Sequence, residues 1–266
     1  MIELKKIALD ISLSRFIKSI WILEINKSSS FGQLYFPYGS FELIYYAKGS
    51  AEMKFLNSKK CLTQSGLFYS GQVLEPFTLE FQESVKCFGI SLHPCKGLYF
   101  KGLHNSIFTG ELYDIEDKIQ TNLDSVEGDE TAIIDLMKTY VITNLLQAEE
   151  DKMIVSIVNY ISENPIQKNY QNYLENFSVS RRRIEQRFIS STGITIGQYC
   201  RKTRFHKVMK LILENTNNLN LAQLGYTAGY YDQSHFINEF KKFSGLTPHQ
   251  FIITKNALIE NVVGLV

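Results

Sequence analysis

Apolar residues change their period partway along the chain. Between Phe31 and Phe108 they come in short runs broken by turn residues. Gly32-Gln33-Leu34-Tyr35-Phe36 runs into Pro37-Tyr38-Gly39-Ser40. Phe41-Glu42-Leu43-Ile44-Tyr45-Tyr46 then alternates, becomes continuously apolar and stops at Lys48-Gly49-Ser50. Further runs at 51–56, 66–69, 77–81 and 86–92 are separated by serine, glycine, proline or charge. Short β-rich segments at this spacing predict a sandwich or small barrel. From Thr131 to Gln147 the period lengthens. Ile133, Met137, Tyr140, Val141 and Leu145 recur at three- and four-residue steps, which predicts an amphipathic helix. Its oily stripe is expected to pack on the barrel, with a dimer seam as the alternative.

Ala148-Glu149-Glu150-Asp151-Lys152 is polar and reads as a linker. Beyond it the pattern predicts helices over 153–163, 170–176, 181–190, 196–214, 219–226, 233–243 and 248–254. The punctuation between them has physical sense. Thr195 three residues before Gln198 makes a capping box for the long helix, Asp232 is placed as an N-cap, and Thr247-Pro248 puts proline where a missing N–H costs nothing. The expected domains are therefore 1–147, a linker at 148–152, a helical domain at 153–255 and an apolar tail at 256–266.

The formal charge of +1 over 266 residues conceals an asymmetry. Up to Glu150 there are 14 lysines and arginines against 19 aspartates and glutamates; after it, 14 against 8. Within 178–210, Arg181, Arg182, Arg183, Arg187, Arg201, Lys202, Arg204, Lys207 and Lys210 face one acid, Glu185. A basic module behind an acidic one points to a polyanion at the back of the molecule. With 44% hydrophobic residues the chain can bury real cores, and wholesale disorder is excluded. No run reaches the roughly 18 apolar residues of a membrane helix, and Cys61, Cys87, Cys95 and Cys200 show no metal-binding spacing. No membrane partner and a cytoplasmic, nucleoid-associated location are expected.

Two stretches in the basic half share one plan. In the first, 170–177 is followed by a break at Ser178-Val179 and then Ser180-Arg181-Arg182-Arg183-Ile184-Glu185-Gln186-Arg187-Phe188. Ile184 and Phe188 face inward, while Arg182, Glu185 and Gln186 share the opposite side. In the second, 221–226 is followed by Ala228-Gly229 and then 232–243. There Phe236, Phe240 and Phe243 form the buried stripe, and Ser234, His235, Asn238 and Lys242 point out. A helix of this kind fits the major groove of B-DNA, where Arg, Gln, Asn and Ser can hydrogen-bond base edges.

Gly193-Ile194-Thr195, Tyr199, Arg204-Phe205, the run from Leu224 to Phe236 and above all Gly229 to Phe251 resemble the DNA-binding domain of AraC/XylS-type transcription regulators. The resemblance covers roughly 154–251. It implies two helix–turn–helix units of homeodomain-like character, joined by a long helix that sets two recognition helices about 34 Å apart on one face of the duplex. The positions matching base-reading ones are Arg182, Glu185, Gln186, Ser234, His235 and Asn238, with Glu185 either accepting from cytosine or holding Arg182. Arg181, Arg183, Arg201, Lys241 and Lys242 match phosphate contacts. Double-stranded DNA and RNA polymerase are the implied partners. The first unit departs from the pattern, with Leu174 for a small residue and Ser178 for the turn glycine, so its turn is expected to differ in shape.

The β-rich half resembles the cupin-like sensory domains of the same regulators, so the whole is expected to be a two-domain α+β protein: a cupin-like β-barrel with a helical segment, then an all-α domain. The barrel either holds a small-molecule effector or serves homodimerisation. Trp21, Phe36, Tyr38, Phe41, Tyr45 and Phe68 are the aromatics a pocket would use, with plain core as the commoner reading. A metal-dependent cupin enzyme is the rival, but it needs clustered imidazoles and a carboxylate, and this half has only His93 and His104 with no H-x-H. Neither a hydrolase elbow nor a P-loop nor a dinucleotide fingerprint is present. No cofactor, metal or catalysis is expected.

Overall fold

The computed structural model describes residues 2–26, 31–37, 39–96, 110–115, 118–145, 151–165, 170–214 and 220–253. The first half builds two antiparallel sheets. One, in the order β1-β2-β9-β4-β7-β10, joins Ile2–Ile7, Ile17–Ile25, Val85–Leu92, Phe41–Lys48, Leu67–Ser70 and Leu112–Asp114. The other, β3-β8-β5-β6, joins Phe31–Tyr35, Phe77–Phe81, Ala51–Phe55 and Cys61–Gln64. In the larger sheet Leu43 of β4 stands opposite both Ile90 of β9 and Tyr69 of β7. A strand with neighbours on both sides and buried faces reads as a continuous apolar run; hence the pattern of 41–46.

Two helices, α1 (Lys118–Ser125) and α2 (Glu130–Leu145), cover the outside of that sheet. Ile133, Met137 and Val141 of α2 bury against Ile20, Ile22, Tyr45, Phe88 and Ile90. The α2 stripe is thus a packing face against its own barrel. Between the sheets lie Trp21, Ile44, Tyr46, Phe68 and Phe81. Trp21, Phe41, Tyr45 and Phe68 are therefore core side chains, each buried; Tyr38 lies outside the described residues. Strands β1, β2, β6 and β10 and helix α1 were not among the elements read from the pattern. In β2 a register shift between Ile17 and Ser19 interrupts the alternation, and β1 is a charged, largely exposed edge strand.

The second half is helical: α3 (Lys152–Glu163), α4 (Tyr170–Leu174), α5 (Arg181–Thr192), α6 (Ile196–Leu213), α7 (Leu221–Thr227) and α8 (Gln233–Ser244), followed by helical residues 248–253. Four of these helices, α3, α6, α7 and α8, start on a side-chain cap. Thr195 and Gln198 form a reciprocal box on α6, Asn220 and Gln223 form another on α7, and Asp232 accepts from the His235 amide on α8. Asp151 does the same for α3 by accepting from the Ile154 amide. Thr247 and Gln250 exchange hydrogen bonds before the final helical residues.

α6 belongs to two cores at once. Ile196 and Tyr199 at its start pack with Ile154, Ile157, Ile184 and Phe188; Phe205, Val208 and Ile212 at its end pack with Leu224, Phe236 and Phe240. Its 18 residues give a rod of about 27 Å. The barrel lies along this rod. Phe36 enters the second core, with ring centroids 6.2 Å from Phe205 and 5.6 Å from Phe251, and Cys95 enters the first. Phe36 is thus an inter-domain side chain. Between the two cores Lys202 donates to Gln72 Oε1 of the barrel, and His206 Nε2 donates to the Pro37 carbonyl at 2.6 Å. Farther along, Asn57 Nδ2 donates to the Lys242 carbonyl at 3.0 Å. The apolar tail and residues 148–150 of the expected linker lie outside the described residues. Among those described, no helix is long and apolar enough to cross a membrane.

Candidate nucleic-acid interface

The second unit is the more regular. α7 ends at Ala228, and Gly229 follows with φ +77°, a conformation that costs a side-chain-bearing residue strain. The turn brings α8 onto α7 closely enough that a Cβ on Gly225 would stand 3.1 Å from Phe236 Cδ1. The small residues at 225 and 229 thus fix the angle between the two helices. Phe236, Phe240 and Phe243 face the core, and Ser234, His235, Asn238, Lys241 and Lys242 are exposed.

The first unit reaches the same arrangement by another turn. Residues 175–180 contain no positive φ, so Ser178 avoids the left-handed region. The turn is held instead by the Asn176 amide on Tyr173 O and the Phe177 amide on Leu174 O, both at 3.2 Å. Leu174 fills the core of this unit. On α5, Ile184 and Phe188 are buried while Arg181, Arg182, Arg183 and Gln186 are exposed. Arg201, at the start of α6, is exposed as well.

Glu185 has a partner that the sequence did not suggest. It is half-buried, and its Oε1 accepts from the Ile196 amide at 3.1 Å. A carboxylate there satisfies a free amide in the first turn of α6 and meets the positive end of its dipole. The side chain thus ties the first recognition helix to the linking helix, and Arg182 is not its partner.

A second network sets the angle between α6 and α8. Glu239 is buried, and its Oε1 accepts from Tyr230 Oη at 2.7 Å and from Arg204 Nη1 at 3.5 Å. Its Oε2 lies 3.7 Å from His235 Nε2, and the Arg204 guanidinium stacks 5.2 Å from the Tyr230 ring centroid. Burial first, then Glu239, pushes the Tyr230 hydroxyl up, so it stays a donor at neutral pH. His235, at the surface, is thereby backed by a buried acid. Sequence reasoning missed this role for Glu239; the four-residue step from His235 to the one acid of α8 was the available signal.

Two members of the basic run do not face solvent. Arg204 takes part in the network just described, and Lys202 is 1% exposed. Burial lowers the Lys202 amine to about 7, with Lys18 adding to the effect. His206 is lowered to about 4 by burial and then by Lys202. The basic surface is therefore narrower than the count along the chain implies, and it centres on α5, Arg201 and the end of α8. Of the two imidazoles in the front half, His93 is held by the Ser14 carbonyl at 2.9 Å, and His104 lies outside the described residues.

Comparison with known proteins follows this division. Residues 173–252 match a family described as a helix-turn-helix domain, and residues 6–113 match one described as a domain of unknown function, DUF6597. The transcriptional activator AggR of Escherichia coli is 25% identical over 150 residues, 52% of this chain and 56% of AggR. The HTH-type transcriptional activator RhaR of Salmonella schwarzengrund is 28% identical over 101 residues, 38% of this chain and 34% of RhaR. The chain thus spans about half the length of one relative and a third of the other. A solved structure of ToxT from Vibrio cholerae is 12% identical with a TM-score of 0.47, over 88% of this chain and 97% of that one. The helical half is a double helix–turn–helix domain. Its motifs resemble those of AraC/XylS-type regulators, and both relatives it matches are transcriptional activators.

Proposed function

We propose that the protein is a sequence-specific transcription regulator that reads two adjacent major-groove segments of one duplex. One observation carries this: two solvent-facing recognition helices, each seated on its own core, share a single continuous helix. In this reading the rod of about 27 Å sets the two helices one turn of B-DNA apart, roughly 34 Å. Arg182, Gln186, Ser234, His235 and Asn238 would meet base edges. An arginine forks onto guanine, and glutamine or asparagine pairs with adenine. Arg181, Arg183, Arg201, Lys241 and Lys242 would meet phosphates, and Glu185 would act chiefly by fixing α5 against α6.

RNA polymerase is the protein partner in this reading. The barrel's role in this reading is to sense a small molecule and pass its occupancy to α6 through the seam at Phe36, Gln72 and Pro37. Dimerisation by the α2 stripe is disfavoured, because that stripe is already buried. Fluorescence anisotropy on labelled duplexes over a salt series tests the reading. Binding should weaken steeply as salt rises, and unlabelled competitor of random sequence should displace the preferred duplex poorly. Equal displacement by every duplex would overturn it.

A further inference from the structure

The first recognition helix has no side-chain cap of its own, because Ser180 makes no such bond at its start. Its seat is apolar: Ile184 and Phe188 are buried in one core with Ile154, Ile157 and Tyr199. Apolar contact is non-directional, so it fixes how deep α5 lies better than how far it is rolled about its axis. Roll decides which side chains face outward. Two directional ties supply it. Glu185 accepts from the Ile196 amide of α6 at 3.1 Å, and Arg187 is gripped by Asp151 at the start of α3.

Both oxygens of the Asp151 carboxylate are engaged. Oδ2 accepts from Arg187 Nε and Oδ1 pairs with Arg187 Nη2, each at 2.7 Å. Oδ1 also accepts from the Ile154 amide at 3.2 Å, which caps α3. A guanidinium held by two parallel bonds has its orientation fixed as well as its distance. The fork neutralises Arg187, the one arginine of α5 that is only half-exposed.

A helix turns about 100° per residue, so Glu185 and Arg187 leave α5 roughly 200° apart. Gln186 lies midway between them, and Arg182 stands about 40° from Gln186. The two ties therefore hold α5 from opposite flanks of the edge that carries Arg182 and Gln186. With one tie released, a modest roll displaces the tips of those long side chains by more than a hydrogen bond tolerates.

We propose that Asp151 is a positioning residue for base selection: through Arg187 it sets the roll of α5, and so the register in which Arg182 and Gln186 meet the duplex. This rests on the DNA-binding reading given above. Positioning and charge predict opposite results for one substitution. Asp151→Asn keeps the cap on α3, since asparagine caps as well as aspartate, and frees the positive charge of Arg187. If charge alone mattered, freeing it would tighten every duplex alike. Loss of position instead lowers discrimination at one block of the site.

The test uses the duplex that the parent chain enriches from a random pool, with each of its two blocks altered in turn. Anisotropy titrations compare the parent, Asp151→Asn, Arg187→Met, Arg187→Lys and the Asp151→Asn/Arg187→Met double variant, with melting temperature as the check on folding. At the block where Arg182→Ala relaxes selection, Asp151→Asn should lower preference by about tenfold or more, the scale of one bidentate base contact. Preference at the other block should stay within about twofold, less than one such contact supplies. Arg187→Lys keeps the charge but not the fork, and should lose preference as Arg187→Met does. The double variant should be no worse than Asp151→Asn, because both residues act through one contact. Should Asp151→Asn melt well below the parent, Arg187→Met, which leaves the α3 cap intact, decides in its place. The proposal is overturned if the variant keeps its preference at that block, tightens all duplexes alike, or loses preference equally at both. A parent chain that prefers no duplex would remove the DNA reading itself, and this proposal with it.

Discussion

Lys202, midway along the helix shared by the two helix–turn–helix units, donates its ammonium to Gln72 Oε1 on the barrel. The contact is buried on both sides, with Lys202 1% and Gln72 0% exposed. An amine lowered from 10.5 to about 7 binds fewer protons folded than unfolded at any pH between those values. Stability therefore rises with pH across that window, by up to about 1.4 kcal/mol per pH unit, and the full penalty remains below pH 7. Denaturant titrations between pH 7 and 9 should show this slope in the parent chain. Lys202→Met, which removes the titrating group but keeps most of the volume, should flatten it.

Glu185 separates two roles that the sequence left open. Loss of its bond to the Ile196 amide in Glu185→Ala should cost about 1 kcal/mol, the usual worth of a helix-capping side chain. Base preference should be unchanged, as read by competition among single-substitution duplexes. A change of preferred base with no loss of stability would restore it to the reading surface.

Arg182 is exposed on the first recognition helix. Arg182→Ala should weaken the preferred duplex by about 1–3 kcal/mol and relax selection at one base pair. Quantitative binding to a panel of duplexes altered at each position checks both halves. Unchanged affinity and preference would show that α5 does not read bases through this side chain.

Lys242 should behave differently. The residue is exposed near the end of α8, where its main-chain carbonyl accepts from Asn57 of the barrel. Lys242→Ala should weaken all duplexes alike and reduce the slope of log affinity against log salt by about one. A loss confined to one sequence would reassign the residue to direct readout.

The helical half was nearly complete in the sequence because its signals are local. Thr195 with Gln198, Asp232 with the His235 amide, and the spacing of Phe236, Phe240 and Phe243 each act within one helix, and each is seen in the structure. What stayed hidden depends on distant parts of the chain. Glu185 finds an amide eleven residues away, and Lys202 finds a glutamine 130 residues away; a basic run says nothing about which of its members turn inward. In the barrel, aromatics at β spacing suit a pocket and a core equally well. Packing of Trp21 and Phe68 between the sheets decides for core, and Phe36 leaves the barrel for the neighbouring domain. The edge strand β1 was missed because its neighbours, not its own charged sequence, make it a strand.

Selection of binding sites from random duplexes, followed by protection mapping of the enriched pool, bears most directly on the paired recognition helices. The enriched sites should hold two short conserved blocks about one helical turn apart, roughly 10 base pairs, protected on the same face. A single block, blocks on opposite faces, or a pool that never departs from random would contradict a rigid pair of probes mounted on α6.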